Sequence, residues 1–205
     1  ASSRHRRWKP LSAAARTDGA CGTFRSIRDF ALASAPARRL RERLAVRGGP
    51  DKCRYVTKEL GFNACIDYKM HTDLQSLSQA LKDTCPNGID GYFENVGGLI
   101  LDAVMLRTNA FARIAVCGMI AGYNGAPLPM ANPALILVNR MKVEGFIVSE
   151  HMELWPQALA ELGGLVASGT LHYRETIAQG LASAPEAFIG LLKGKNFGKQ
   201  LVRLV

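Results

Sequence analysis

Residues 112–123 read ARIAVCGMIAGY. From Ile114 to Met119 there is no charge and a single break, at Gly118. An apolar run of this length beside a glycine reads as a buried strand of a parallel sheet. The glycine-flanked loop that follows, ending in Tyr123, then falls where open α/β sheets bind ligands, beyond the carboxyl end of a strand. Taken alone, the stretch favours a plain core strand and a solvated loop. Its neighbours shift that balance.

Downstream, residues 122–133 are rich in Gly, Pro and Asn and form a loop too long for a mere connector. The pattern then predicts a short helix over 134–140, a strand over 143–149 and a longer helix over 150–168. After Gly169 come a strand over 172–177, a helix over 185–193, a turn at 194–198 and a final strand over 200–205. Upstream, IDGYFENV (89–96) reads as a strand bounded by Gly97-Gly98, with a helix over 99–108 behind it. Residues 73–84 are amphipathic, with Leu74, Leu77 and Leu81 at helical spacing. ACIDY (64–68) is a short strand. Gly49-Pro50-Asp51 opens a helix over 52–60 that Gly61 closes. Strands alternating with helices in this way specify βαβ units and a parallel, doubly wound sheet. The folded body is assigned to residues 48–205.

Charge separates this body from what precedes it. The chain has 205 residues and a formal net charge of +9. Residues 1–47 hold twelve basic side chains against three acidic ones, whereas the remainder holds fourteen of each. The excess positive charge therefore belongs to the first quarter alone. That quarter is Arg- and Ala-rich, lacks sustained periodicity, and offers only a short basic helix over 37–46. Five cysteines, an odd number with no C-x-x-C, point to reduced thiols in a cytosolic compartment. No run reaches the roughly 18 apolar residues of a membrane span. No His and Cys spacing suggests a metal site, and all four histidines are assigned to the surface.

A dinucleotide-binding domain opens with a strand, a glycine-rich turn and a helix. The chain has no G-x-G-x-x-G; Gly19-Ala20-Cys21-Gly22 comes nearest but follows no apolar strand. Three explanations compete for residues 1–47: an organellar leader, a basic arm for phosphates, or peptide read in a shifted frame or from a truncated gene.

Six segments in order carry a family resemblance: GGPDKCRYVTKELGF, NACIDYK, GIDGYFENVGG, ARIAVCGMIAGYN, VEGFIVSEH and GKNFGKQLV. They resemble the zinc-independent medium-chain reductases, and within these the NADPH-dependent alkenal double-bond reductases and prostaglandin or leukotriene reductases. The resemblance covers Gly48 to the C-terminus. It implies an α/β fold: an incomplete Rossmann-like, doubly wound parallel sheet lacking its first strand, Gly-rich loop and helix, with a C-terminal helix and strand added. It also implies an NADP(H) cofactor and a small enal or enone substrate. A homodimer through the sheet edge near residues 143–149 is implied as well.

The resemblance assigns roles residue by residue. Lys52 and Tyr68 would contact the adenosine 2′-phosphate. Asn95 would face the ribose or nicotinamide. Cys117, Gly118, Met119, Ile120 and Tyr123 would line the nicotinamide half, with Cys117 a small buried residue. Tyr123 would be catalytic, its phenol hydrogen-bonding the substrate carbonyl and stabilising the developing oxyanion. Phe146, Ile147 and Val148 would close over the nicotinamide, and Asn196 would reach back to the cofactor. A missing first unit favours the frame-shift or truncation account of residues 1–47. It also predicts weak or absent NADPH binding and a tendency to aggregate. Two other readings stand beside the enzyme: a non-catalytic cofactor-binding or oligomerising remnant, and a basic-tailed nucleic-acid binder.

Overall fold

The computed structural model describes residues 42–123, 125 and 127–204. Strand β1 (Leu44–Arg47) leads through a Gly48–Gly49 turn into α1 (Pro50–Lys58) and on to β2 (Ala64–Asp67), which pairs parallel with β1. Helix α2 (Leu74–Thr84), strand β3 (Ile89–Glu94), helix α3 (Gly98–Met105) and strand β4 (Thr108–Val116) follow. Helix α4 (Ala134–Val138) precedes β5 (Lys142–Gly145), and β3, β4 and β5 form one parallel ladder in that order. Helix α5 (Trp155–Ala167), β6 (Glu175–Gln179), α6 (Ala184–Leu192) and β7 (Lys199–Arg203) complete the described chain, with β6 and β7 parallel to each other.

In a doubly wound order of 3-2-1-4-5-6, β2 and β1 occupy places three and two, and β3, β4 and β5 occupy four, five and six. Among the described residues the two ladders share no hydrogen bonds, and no strand stands at place one. They do share a core. A buried cluster runs from Leu44 and Ile66 through Leu77, Leu81 and Cys85 to Ile89, Ile100 and Val104. A second cluster joins Leu101 and Met105 to Ala112, Ile114 and Met141. Helix α3 supplies both, which explains its lack of a polar face. Asp73 caps α2 by accepting from Ser76 N at 2.8 Å, and this cap aims the fully buried Leu77 and Leu81 inward.

Several boundaries differ from those read in the sequence. The folded body begins at β1, before Gly48, and residues 44–46 are extended rather than helical. Burial of Leu44 and Ala45 in a strand beside Ile66 overrides the weak helical tendency of their basic surroundings. Residues 1–41, with the Gly19–Gly22 segment and most of the basic charge, lie outside the described residues. Strand β4 starts at Thr108, four residues before the expected apolar run, and ends at Val116, before Cys117. The strand expected over 143–149 ends at Gly145, and Val148–Leu154 is a 3₁₀ segment leading into α5.

Candidate functional site

Two groups of residues stand at the carboxyl ends of the parallel strands. The first surrounds the turn between β1 and α1. Asp67, ending β2, accepts at Oδ1 from Gly49 N at 2.8 Å and from Lys69 N at 3.1 Å. This single carboxylate oxygen locks the β1–α1 turn to the turn after β2. A Cβ on Gly48 would stand 3.0 Å from Lys69 Cε and 3.0 Å from Tyr68 Cε1, so a side chain there would crowd both where they cross the backbone. Tyr68 is half-buried against the core.

Lys52 lies in the first turn of α1, and its Nζ donates to Gly194 O at 2.8 Å. Desolvation lowers its pKa below the ordinary lysine value, and the positive charges of Lys69 and Arg47 lower it further. Arg47 ends β1; desolvation lowers its pKa too, and its charge acts on Tyr92 of β3. Burial first, then the neighbouring Glu94, keeps the Tyr92 phenol protonated far beyond its usual range.

The second group follows β3 and β4. Fully buried Glu94 accepts at Oε1 from the N–H groups of Val96 and Gly97, the latter at 2.9 Å. That carboxylate shapes the Asn95–Gly98 turn, where Gly97 and Gly98 have positive φ. The chain after β4 is laid along this turn by backbone bonds: Cys117 N to Glu94 O at 2.8 Å, Ile120 N to Asn95 O at 3.1 Å, and Ala121 N to Val96 O at 3.0 Å. A Cβ on Gly118 would lie 3.3 Å from the Tyr123 hydroxyl and 3.5 Å from Asn95 O. The Tyr123 phenol therefore sits over Gly118 beside Asn95, on a side chain 65% exposed.

Phe146 closes this group on the β5 side. Its N–H donates to Val116 O at 3.1 Å, and its ring lies 6.0 Å from that of Phe93. Ile147 and Val148 beyond it are exposed. Asn196 belongs to the other end: it sits two residues after Gly194, the acceptor of Lys52, and its amide donates to Gly198 O at 2.7 Å. The structure thus brings Asn95, Gly118, Met119 and Tyr123 together, and separately Lys52, Tyr68 and the Gly48–Gly49 turn.

Three sequence expectations are corrected. Cys53 and Cys65 are disulfide-bonded, with Cα atoms 5.2 Å apart, rather than reduced thiols. Packing of α1 against β2 brings them together, which a spacing of 12 residues does not reveal. Cys117 is exposed rather than buried, because β4 ends one residue before it. His71 is half-buried, with Nδ1 2.7 Å from Ser76 Oγ, rather than a surface residue. Asp67, Lys69, Arg47 and Glu94 were missed; an Asp at a strand end followed by a short turn is the one local signal that could have revealed the first two.

A cleft of about 350 Å³ lies between α1 and the C-terminal segment, lined by Asp51, Arg54, Tyr55, Glu59, Arg174 and Phe197. Its charges are matched internally. Arg174 makes two bonds of 2.8 and 2.9 Å to Glu59, and Arg54 pairs with Asp51. The Arg174 guanidinium also covers the Tyr55 and Phe197 rings, which makes this a docking contact for the C-terminal strands. Among the described residues no group of three or more His, Cys, Asp or Glu could hold a metal ion. No helix among them is long and apolar enough to cross a membrane.

Comparison with known proteins bears on this arrangement. A family model described as zinc-binding dehydrogenase matches residues 30–163. The chain belongs to this zinc-binding dehydrogenase family. Within it, the NADPH-dependent curcumin reductase of Escherichia coli is 42% identical over 168 residues, covering 78% of this chain and 48% of that protein. The 2-alkenal reductase (NADP(+)-dependent) of Nicotiana tabacum is 41% identical over 156 residues, covering 76% and 45%. The crystal structure of CurA from Vibrio vulnificus in complex with NADPH superposes with a TM-score of 0.71 at 42% identity, covering 79% of this chain and 49% of that one. The fold is accordingly the α/β nucleotide-binding fold of these family members. The chain spans about half the length of the curated relatives it matches.

Proposed function

We propose that the chain forms the cofactor-binding part of an NADPH-dependent oxidoreductase that reduces the carbon–carbon double bond of α,β-unsaturated aldehydes and ketones. The observation that carries this reading is the pair of groups at the strand ends: cations around a glycine turn at one, and an exposed phenol over a glycine at the other. The residues fit such a cofactor. At Gly48 and Gly118 the absence of a Cβ lets Tyr68 and Lys69, and the Tyr123 hydroxyl, lie close against the backbone at the strand ends, which gathers the polar groups such a cofactor needs. Lys52 and Tyr68 lie where an adenosine 2′-phosphate would be recognised, and Asn95 lies beside Tyr123 at the nicotinamide end.

When bound, NADPH supplies hydride to the substrate β-carbon. The chain's own residues orient and stabilise. The Tyr123 hydroxyl donates to the carbonyl oxygen as negative charge develops there, and its phenol proton serves the protonation that completes reduction. Asn95 fixes the neighbouring amide or ribose. Residues 117–120 shape the wall through backbone groups, and Phe146, Ile147 and Val148 shield it from the β5 side. Asn196 supports the turn that receives Lys52.

The test is consumption of NADPH with a short 2-alkenal and identification of the product. The saturated aldehyde is expected, and Tyr123→Phe should slow its formation about a hundredfold with the fold unchanged. Saturable NADPH binding with no loss of the double bond would instead identify a non-catalytic cofactor-binding module. The nucleic-acid reading rests on residues outside the described part of the chain, and no described surface supports it.

A further inference from the structure

We propose that Lys69 is a second cationic contact, beside Lys52, for the adenosine 2′-phosphate, and that it sets the preference of this site for phosphorylated over unphosphorylated adenosine. The inference rests on the cofactor reading above. It gives a role to Lys69, the last residue of the NACIDYK segment, to which the resemblance assigned none.

Lys69 follows Tyr68 in the 3₁₀ turn after β2, and its backbone N–H is held by the Asp67 oxygen that also holds Gly49 N. The turn bearing Lys69 and the turn leading to Lys52 are thus fixed to one another through a single atom. The Lys69 side chain crosses Gly48, its Cε 3.0 Å from where a Cβ would stand. A side chain at position 48 would push it away from the site.

A phosphate monoester carries about −1.5 to −2 at neutral pH. Lys52 alone supplies one positive charge, and one of its N–H donors is already engaged by Gly194 O. The charges that act on Lys52 are both positive, those of Lys69 and Arg47. Three cations held near one glycine turn repel one another until a dianion lies between them. Arg47 is the weaker candidate for that contact, because its charge also acts on Tyr92 of the neighbouring ladder. Lys69 is exposed, and a lysine's flexible four-carbon stem lets its ammonium close on an anion.

The experiment is calorimetric titration of the full chain with adenosine 2′,5′-bisphosphate and with adenosine 5′-monophosphate. These probes need neither the nicotinamide nor turnover. The unaltered chain is expected to prefer the bisphosphate. Lys69→Ala should weaken bisphosphate binding about tenfold, the equivalent of one charged hydrogen bond, and leave the monophosphate unchanged. Lys69→Arg should restore most of the loss, and Lys82→Ala, on the exposed last turn of α2, should change nothing. Circular dichroism melts of each variant separate a binding effect from unfolding. Bisphosphate binding by Lys69→Ala equal to that of the unaltered chain overturns the role of Lys69 while leaving the cofactor reading standing. No preference for the bisphosphate in the unaltered chain overturns both.

Discussion

At Lys52, folding and binding respond to pH in opposite directions. Its folded-state pKa is lowered, by desolvation first and then by Lys69 and Arg47. The folded chain therefore binds fewer protons at this position than the unfolded chain does in the alkaline range, so this lysine's contribution to stability rises with pH there. Anion binding needs the ammonium form. Preference for NADPH over NADH should therefore fall as pH rises through the lowered Lys52 pKa, earlier than for an ordinary lysine. It should also fall on the acid side as the phosphate takes up its second proton, near pH 6. Titrations of both cofactors between pH 5 and 10 should show a maximum near neutrality. Lys52→Arg should move the alkaline fall to higher pH, because a guanidinium at position 52 stays charged throughout. An alkaline limb unchanged in that variant would show that another group controls it.

At the scale of elements, α1 is the piece on which the phosphate end depends. It is tied to β2 by Cys53–Cys65, to the C-terminal segment by Lys52 and Gly194, and by Arg174 and Glu59. The exposed ion pair contributes at most about 1 kcal/mol. The disulfide closes a short loop and should contribute about 3 kcal/mol. Urea denaturation with and without reductant, and of Cys53→Ser, should show that loss; superimposable curves would show that the bond does not form in solution. Glu94 plays the matching role at the other end. Glu94→Ala removes the acceptor of two backbone N–H groups, and should cost about 2 to 3 kcal/mol and loosen the turn that carries Asn95.

These elements also show where sequence reading stops. The alternation of strands and helices was legible because hydrophobic period, glycine turns and the Asp73 cap all agree locally. Asn95, Gly118 and Tyr123 were assigned to one end of the site by the family resemblance, and the structure sets them after adjacent strands of one ladder. Asp67, Lys69 and Glu94 were not legible, since each acts through bonds to a turn whose position depends on the folded backbone. Strand β1 was missed for a related reason: four residues inside a basic stretch carry little pattern of their own, and only burial against Ile66 defines them.

At the scale of the whole molecule, apolar side chains remain uncovered on several elements. Leu137, Leu181, Phe188 and Leu204 are among them, and β5 is exposed along its whole length at the end of its ladder. A surface of this kind favours self-association. Light scattering coupled to size exclusion should show mass rising with concentration, with a homodimer through the β5 edge as the first discrete species. A monomer at all concentrations would contradict this.

The most direct test of the central claim is a fluorescence titration of the chain with NADPH and, in parallel, NADH. NADPH is expected to bind weakly but saturably, at least about tenfold tighter than NADH, with the preference shrinking as salt is raised. Equal affinities for the two cofactors, or no saturable binding of either, would contradict it.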